Sequence, residues 1–291
     1  MSDKIVVELH SQEQRLVQGP VPVLAMLTNV SPTTIHVLLP YPNPSNLGFR
    51  SLTQYFGAAK AVEQDPIERT APIMIEPGKT HKATYYLNRY FSFPRAGNGE
   101  FEYRLRMRVT HDGVNPTSKT EMFGGTFGVQ LIAGSENQLR GALALYSGQL
   151  RSLNRQEKME AAEALAFVDT PLVVPYLLPM LQIDNLEVIG IHALARHPGS
   201  QSELAIKSML GNPESAVVGT ALEEIDRLKI GVTRKEVQQL LDSQNTNIQW
   251  LALGWLEARP SREDLPLLSR LLKSENSLVR EKAKAYLGRL Q

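Results

Sequence analysis

Two periods divide the chain. Up to about Ala133 apolar residues alternate with polar ones between turn-forming clusters, and after Gly134 they recur at helical spacing. The alternation predicts strands over residues 5–10, 21–30, 34–39, 47–52, 82–87, 101–109 and 120–132. In the clearest of them Phe101, Tyr103, Leu105, Met107 and Val109 point one way and Glu102, Arg104, Arg106 and Arg108 the other. Gly19-Pro20, Ser31-Pro32, Pro40-Tyr41-Pro42-Asn43-Pro44, Pro77-Gly78, Gly97-Asn98-Gly99 and Asp112-Gly113 supply turns between them. About seven short strands in this length predict an antiparallel β-sandwich. Gly124-Gly125-Thr126-Phe127-Gly128 lies inside a strand pattern and is expected to mark a bulge.

The second half repeats. Four-residue turns end at Asn154, Asn185, Glu214, Asn245 and Asn276, which are 31, 29, 31 and 31 residues apart. Leucine precedes each turn, at Leu150, Leu181, Leu210, Leu241 and Leu272, with Tyr146, Leu177, Ile206, Val237 and Leu268 four positions earlier. That is the apolar stripe of a first helix. After the last three turns come Val217/Ala221/Ile225, Ile248/Ala252/Leu256 and Val279/Ala283/Leu287, a large-small-large ladder for a second helix. Breakers separate the pairs at Asp169-Thr170-Pro171, His197-Pro198-Gly199, Gly231-Val232-Thr233 and Pro260-Ser261, and Thr233 to Glu236 and Ser261 to Asp264 have capping-box spacing. Such pairs cannot bury their stripe alone and are expected to stack, leaving a concave surface lined by the second helices.

These motifs carry two resemblances. The repeat resembles HEAT-like repeats of the short, phycobilisome-lyase-type variety, and Val279-Arg280-Glu281-Lys282-Ala283 is nearest to that pattern. This resemblance implies a fold and no bilin chemistry. Pro20 to Ser31, with its Leu27-Thr28-Asn29, then Glu76-Pro77-Gly78-Lys79, Tyr85-Tyr86-Leu87 and Gly99 to Leu105, resemble the immunoglobulin-like module of deuterolysin-type metallopeptidases and, more distantly, intracellular proteinase inhibitors. It implies an accessory domain, often extracytoplasmic, because the His-Glu-x-x-His motif of the peptidases is absent. The expected architecture is a multidomain β + α chain. An immunoglobulin-like antiparallel β-sandwich over 1–134 precedes an α–α superhelix, a HEAT-like solenoid of five helix pairs, over 135–291.

Composition narrows the partners. The 291 residues carry 31 Lys+Arg against 30 Asp+Glu, and both halves are balanced, so nucleic acid is not the expected ligand. Without cysteine there is no disulfide, thiol nucleophile or thiolate metal site. The first apolar run, Ile5-Val6-Val7, is too short for a membrane span, and no membrane insertion is expected. As written the chain reads as cytoplasmic, and as periplasmic or secreted if a signal peptide has been removed. No metal or cofactor is expected, since none of the six histidines (His10, His36, His81, His111, His192, His197) falls into a ligand motif and no phosphate loop or nucleophile elbow is present.

Candidate binding residues follow from departures from the pattern. Trp250 stands where neighbouring units have Gly219 and Glu281, as an interface anchor or as packing against Leu222 or the next helix. Strict register puts His192 and Arg196 on the ladder, which with His197 gives a polar patch able to receive a carboxylate, whereas a rotation by one residue restores Ile189 and Ala193. Arg104, Arg106 and Arg108 form a basic stripe, either a solvated face with acidic cross-strand neighbours or a site for an acidic segment. Tyr41 in the proline-rich loop and the connection from Tyr55 to Pro72 offer a loop edge. The expected function is non-enzymatic binding or scaffolding of a protein partner of unknown identity. The alternatives are a proteinase inhibitor acting through sandwich loops and a lyase-like enzyme using the solenoid groove.

Overall fold

A computed structural model describes residues 5–11, 14–38, 47–53, 58–59, 72–111 and 117–290. Strands come first: β1 (Ile5–Ser11), β2 (Arg15–Leu16), β3 (Pro22–Asn29), β4 (Ile35–Leu38), β5 (Leu47–Ser51), β6 (Ala58–Ala59), β7 (Ile73–Ile75), β8 (Thr80–Tyr86), β9 (Phe91–Ser92), β10 (Gly97–His111) and β11 (Thr117–Ile132). One antiparallel sheet has the order β1-β3-β8. A second runs β2-β11-β10-β4-β7, with β5 also on β10, and β6 pairs with β9. Val23, Ala25 and Leu27 of β3 share one buried cluster with Phe101, Tyr103, Leu105, Met107 and Val109 of β10, while Arg104, Arg106 and Arg108 are exposed, as alternation requires. The short strands β2, β6, β7 and β9 carry too few residues to show a period.

Two glycine expectations are corrected. Gly97-Asn98-Gly99 opens β10 instead of turning the chain. No bulge occurs at Gly124 to Gly128, because β10 and β11 pair without a slip from Gly97↔Leu131 to His111↔Thr117. Tyr103 explains Gly125: a Cβ there would lie 2.9 Å from the phenol ring, whose hydroxyl donates to the Val7 carbonyl at 3.0 Å and ties the two sheets.

The Leu-Thr-Asn and Pro-Gly motifs meet in one polar knot. Asn29 is fully buried, and its amide donates to the carbonyls of Thr33 and Ile75 at 2.9 Å each. Its side-chain oxygen accepts from the Ser31 N–H and hydroxyl, and Gly78 N–H donates to its carbonyl. Gly78 itself has φ 72°, which glycine adopts without strain.

Helices follow: α1 (Glu136–Gln149), α2 (Arg155–Ala166), α3 (Val174–Leu177), α4 (Glu187–Ala195), α5 (Ser200–Ser208), α6 (Ser215–Leu228), α7 (Arg234–Gln239), α8 (Thr246–Glu257), α9 (Leu265–Leu271) and α10 (Ser277–Leu290). The first helices α3, α5 and α7 run into 3-10 turns, and Leu181, Leu210 and Leu241 are buried in those turns. In the last pair Leu271 takes that role and Leu272 is half-buried. The repeated turn has a side-chain basis. Ser152, Ser243 and Ser274 hydroxyls accept from the N–H of Asn154, Asn245 and Asn276, whose own side-chain oxygens cap the next helix. Thr233 and Glu236 form the expected capping box. Ser261 and Asp264 do not, since Asp264 is buried against Arg234 and the Ser261 hydroxyl accepts from Glu263 instead.

The ladder of α4 departs from the strict register and agrees with the rotated one in part, since Ala193 is buried and Ile189 half-buried. Asn185 adopts a left-handed φ of 69°, and the large-small-large series becomes Leu186/Gly190/Leu194. Gly190 is the small rung: a Cβ would lie 3.0 Å from Met180 and 3.1 Å from Leu181. In α10 the third rung is the fully buried Tyr286, and Leu287 is half-buried.

The chain divides into two compact units, Met1–Val173 and Val174–Gln291, so the first helix pair belongs with the strands although the change of secondary structure falls at 133–135. Within that first unit Tyr86 meets Tyr146 edge to face with ring centroids 6.3 Å apart, the Ser92 hydroxyl donates to Asp169 at 2.6 Å, and Arg89 lies 5.0 Å over the Phe167 ring. Burial pushes the pKa of both phenols up. Within the second unit the second helices pack in succession, α4 on α6, α6 on α8 and α8 on α10. Among the described residues no helix is long and apolar enough to cross a membrane.

The packing at Gly190 makes a prediction. Gly190→Val lowers stability by about 1–3 kcal/mol through overpacking. Gly141→Ala in α1, where a Cβ meets nothing within 4 Å, raises it by up to about 1 kcal/mol through helix propensity. Urea unfolding of both variants checks the contrast, and equal effects would contradict the packing.

Candidate functional site

The row α4-α6-α8-α10 is fastened by a polar side-chain contact at each junction. Glu224 of α6 is 5% exposed, accepts from Arg227 at 2.6 Å and lies 2.8 Å from Nδ1 of His192 on α4. Asp226 on the same helix pairs with Arg259 and accepts from the Trp255 indole at 2.9 Å, while Arg259 lies 4.0 Å over that ring. Glu257 of α8 is 6% exposed and takes Lys282 at 2.5 Å and Arg289 at 3.1 Å from α10. A buried carboxylate is tolerated only with such partners, and removing one leaves an uncompensated charge.

Trp250 projects from this row. It is 46% exposed, and Lys282 Nζ lies 5.3 Å from its ring centroid. The lysine is held by Glu257, so the indole has one supported face and one open to solvent. Gly219, at the corresponding place on α6, faces Leu251, and Gly254 faces the stem of Lys282.

His192 is already engaged by Glu224, so the expected carboxylate receptor is filled from within the chain. His197 is 9% exposed, and Arg196 caps α4 and has partners of its own. The structure thus pairs His192 with Glu224 and leaves Arg196 half-buried at the end of α4, and among the described residues no hydrogen bond or ion pair joins the three into one patch.

On the first-helix side the junction is polar as well. Asp264 is fully buried and accepts from Arg234 at 2.8 and 2.6 Å and from Gln238 at 2.8 Å, with the Tyr286 hydroxyl as a further donor. Lys207 of α5 pairs with Glu236 of α7 at 2.8 Å. That ammonium, with the Thr233 N–H and hydroxyl, holds the Glu236 carboxyl at about 2.

Arg104, Arg106 and Arg108 lie on the outer face of β10, opposite Gly124, Met122 and Thr120 of β11. The expected acidic cross-strand neighbours are absent among the described residues. The one acid joined to the stripe is Glu102, on β10 itself, 3.4 Å from Arg104 and 2.8 Å from Arg50. Gly48, Phe49, Arg50, Glu102 and Arg104 line a shallow hollow of about 200 Å³, below the usual size for a small-molecule site. Tyr41 and most of the connection from Tyr55 to Pro72 lie outside the described residues. Among the described residues no group of three His, Cys, Asp or Glu is placed to hold a metal ion.

No family model matches the chain, and no curated protein matches it. Among solved structures, an engineered protein is 18% identical over 52% of this chain and 79% of its own, with a TM-score of 0.31. The ASH/PapD-like domain 7 of human CEP192 is 13% identical over 45% of this chain and 87% of its own, with a TM-score of 0.25. A native alpha-2-macroglobulin fragment from Escherichia coli is 10% identical over 98% of this chain and 55% of its own, with a TM-score of 0.23. Likenesses of this size carry no argument about activity or partners.

The buried carboxylates set a pH response. Burial raises the pKa of Glu224 and of Asp264, and hydrogen bonds from His192 and Arg227, and from Arg234, Tyr286 and Gln238, more than reverse it, so both are lowered. A lowered folded value gives stability that is present above the unfolded carboxyl range, about pH 4, and is lost as pH falls through the folded values. Urea midpoints will fall between about pH 6 and pH 3 in the wild type, and fall less in Glu224→Gln/Asp264→Asn, which is weaker at neutral pH. A double variant as acid-sensitive as the wild type contradicts the assignment.

Proposed function

We propose that this chain is a non-enzymatic protein-interaction module in which an immunoglobulin-like β-sandwich precedes a HEAT-like α-solenoid, and that the row of second helices receives a protein partner. Two sheets closing over one buried cluster support the sandwich. The successive packing of α4, α6, α8 and α10 supports the solenoid, whose stacked units offer an extended wall to a partner.

The observation that carries the proposal is Trp250. An indole 46% exposed, backed by a lysine that is itself fixed by a buried glutamate, is a rigid aromatic anchor rather than a core residue. Rigid aromatic residues of this kind dominate binding energy because little side-chain freedom is lost on association. A partner docking here buries the open ring face and meets Lys282 and Arg289 at its rim, where charge sets association rate and orientation.

The test is affinity capture with the full chain, followed by binding measurements on the captured partner. Trp250→Ala weakens that partner by about 2 kcal/mol or more, near thirtyfold, and leaves the urea midpoint within about 1 kcal/mol of wild type. Arg196→Glu, at the end of α4, weakens it less. Partners that bind both variants as they bind the wild type remove the second-helix row from consideration.

A further inference from the structure

The open edge of β11 carries a second binding mode, independent of Trp250. β11 is paired along one edge with β10, but on its other edge only Leu131 and Ile132 have a strand partner, β2. Val17 N–H donates to the Ile132 carbonyl, so Ile132 faces away from β10. Independently, the Glu100 carbonyl accepts from Leu52 and its N–H donates to Thr53, so Glu100 faces β5 and its partner Gly128 is a pair without mutual hydrogen bonds. Alternation then turns the N–H and C=O of Thr120, Met122, Gly124, Thr126, Gly128 and Gln130 outward. The parallel ladder with β2 takes the Gln130 carbonyl, and β1 packs near β11 without pairing with it, so among the described residues the groups of Thr120 to Gly128 have no strand partner on this edge.

A long strand with a free edge is a hazard that proteins ordinarily blunt with a proline, a bulge or an inward charge. Residues 120–130 contain no proline, the register shows no bulge, and the one inward charge, Glu121, stands near the start of the strand and leaves the edge from Met122 to Gly128 without such a device. The outer surface beside the edge is also bare. Gly124 and Gly128 have no left-handed φ, and a Cβ at Gly128 would meet nothing nearer than 4.0 Å. Nothing within the chain calls for glycine at 128, where it weakens a strand.

The charge on that surface selects the occupant. Arg104 lies opposite Gly124, Arg106 opposite Met122 and Arg108 opposite Thr120, and neither Arg106 nor Arg108 has an ion pair among the described residues. Alternate residues of a strand are spaced by about 6.8 Å, the same in β10 and in any strand added beside β11. An added strand would lie about 10 Å from β10, within joint reach of an arginine and a glutamate side chain. The reach is most open at Arg104, which alone of the three faces a glycine, while Glu100 and Glu102 on the same face confine the match to the Thr120–Gly124 end.

We infer that the free edge of β11 binds an extended, acidic segment of a partner protein as an added strand, with carboxylates at alternate positions over Arg104, Arg106 and Arg108. Backbone pairing supplies the mode and the arginines supply the selectivity. A second copy of this chain fits poorly, because it would bring another arginine row to the same face.

The test uses the full-length protein and a fluorescent ten-residue peptide alternating glutamate with threonine. A peptide with lysine in place of glutamate serves as the control. The acidic peptide binds saturably, the lysine peptide does not, and amide exchange slows at Thr120, Met122, Gly124, Thr126 and Gly128. R104E/R106E, at exposed positions, weakens binding at least tenfold. Met122→Pro removes one outward N–H and keeps every arginine, and it also weakens binding at least tenfold. Equal binding of both peptides, no saturation up to about 1 mM, binding without slowed exchange at those amides, or binding unchanged in a folded Met122→Pro variant overturns the inference. Self-association of the free protein through this edge overturns it too.

Discussion

Each helix pair of the second unit has an apolar stripe that it cannot bury by itself, and the rest of that unit follows from the need to cover it. A two-helix unit of this size encloses too little surface to be stable alone, so the stripe of one pair becomes the core of the next. Close approach requires a small residue in mid-ladder, which Ala221, Ala252 and Ala283 provide and Gly190 provides where the turn is distorted. The ladder is apolar and does not fix orientation about the stack. Polar contacts accompany it: His192 to Glu224, Asp226 to Trp255 and to Arg259 just beyond α8, and Glu257 to Lys282 and Arg289. Burying a carboxylate among such partners adds little net stability, whereas removing a partner costs much.

The first unit solves its covering problem differently. Its two sheets face one cluster, and the polar ends of the strands are satisfied by single buried amides rather than by long loops. Asn29 holds the end of β3 to the turn before β8, and Asn88 accepts from Val21 N–H at 2.6 Å and donates to the Gly19 carbonyl at 2.9 Å. Tyr103 fills the space above Gly125 and reaches across to Val7. On the outer face of β10 and β11 Arg104 pairs with Glu102, while Arg106 and Arg108 have no ion pair among the described residues.

Much of this was legible in the residues. The leucines before each turn, the mid-ladder alanines and the strand alternation at 101–109 each report a face that must be buried, and burial is what periodicity measures. The Leu-Thr-Asn and Pro-Gly motifs stood out individually, but their meeting through Asn29 is a long-range fact with no sequence signal. The same holds for His192, whose partner Glu224 lies 32 residues away, so its polarity looked like an exposed site. The α4 ladder was misplaced because spacing was counted from turns assumed equal, whereas Asn185 takes a left-handed conformation. The acidic neighbours expected for the arginine stripe depended on strand pairing, and the register put Gly124, Met122 and Thr120 there instead. Trp250 was visible as a departure from its repeat, and the lysine and glutamate that support it were not.

If stacking neighbours supply most of the stability of each pair, protection against hydrogen exchange must follow position in the stack. Native-state exchange, read residue by residue, tests this most directly. The slowest exchange is expected in Ser215–Leu228 and Thr246–Glu257, which pack between two other second helices, and faster exchange in Ser277–Leu290, which among the described residues packs on one second helix. Equal protection across all three helices, or the slowest exchange in the last, would contradict it.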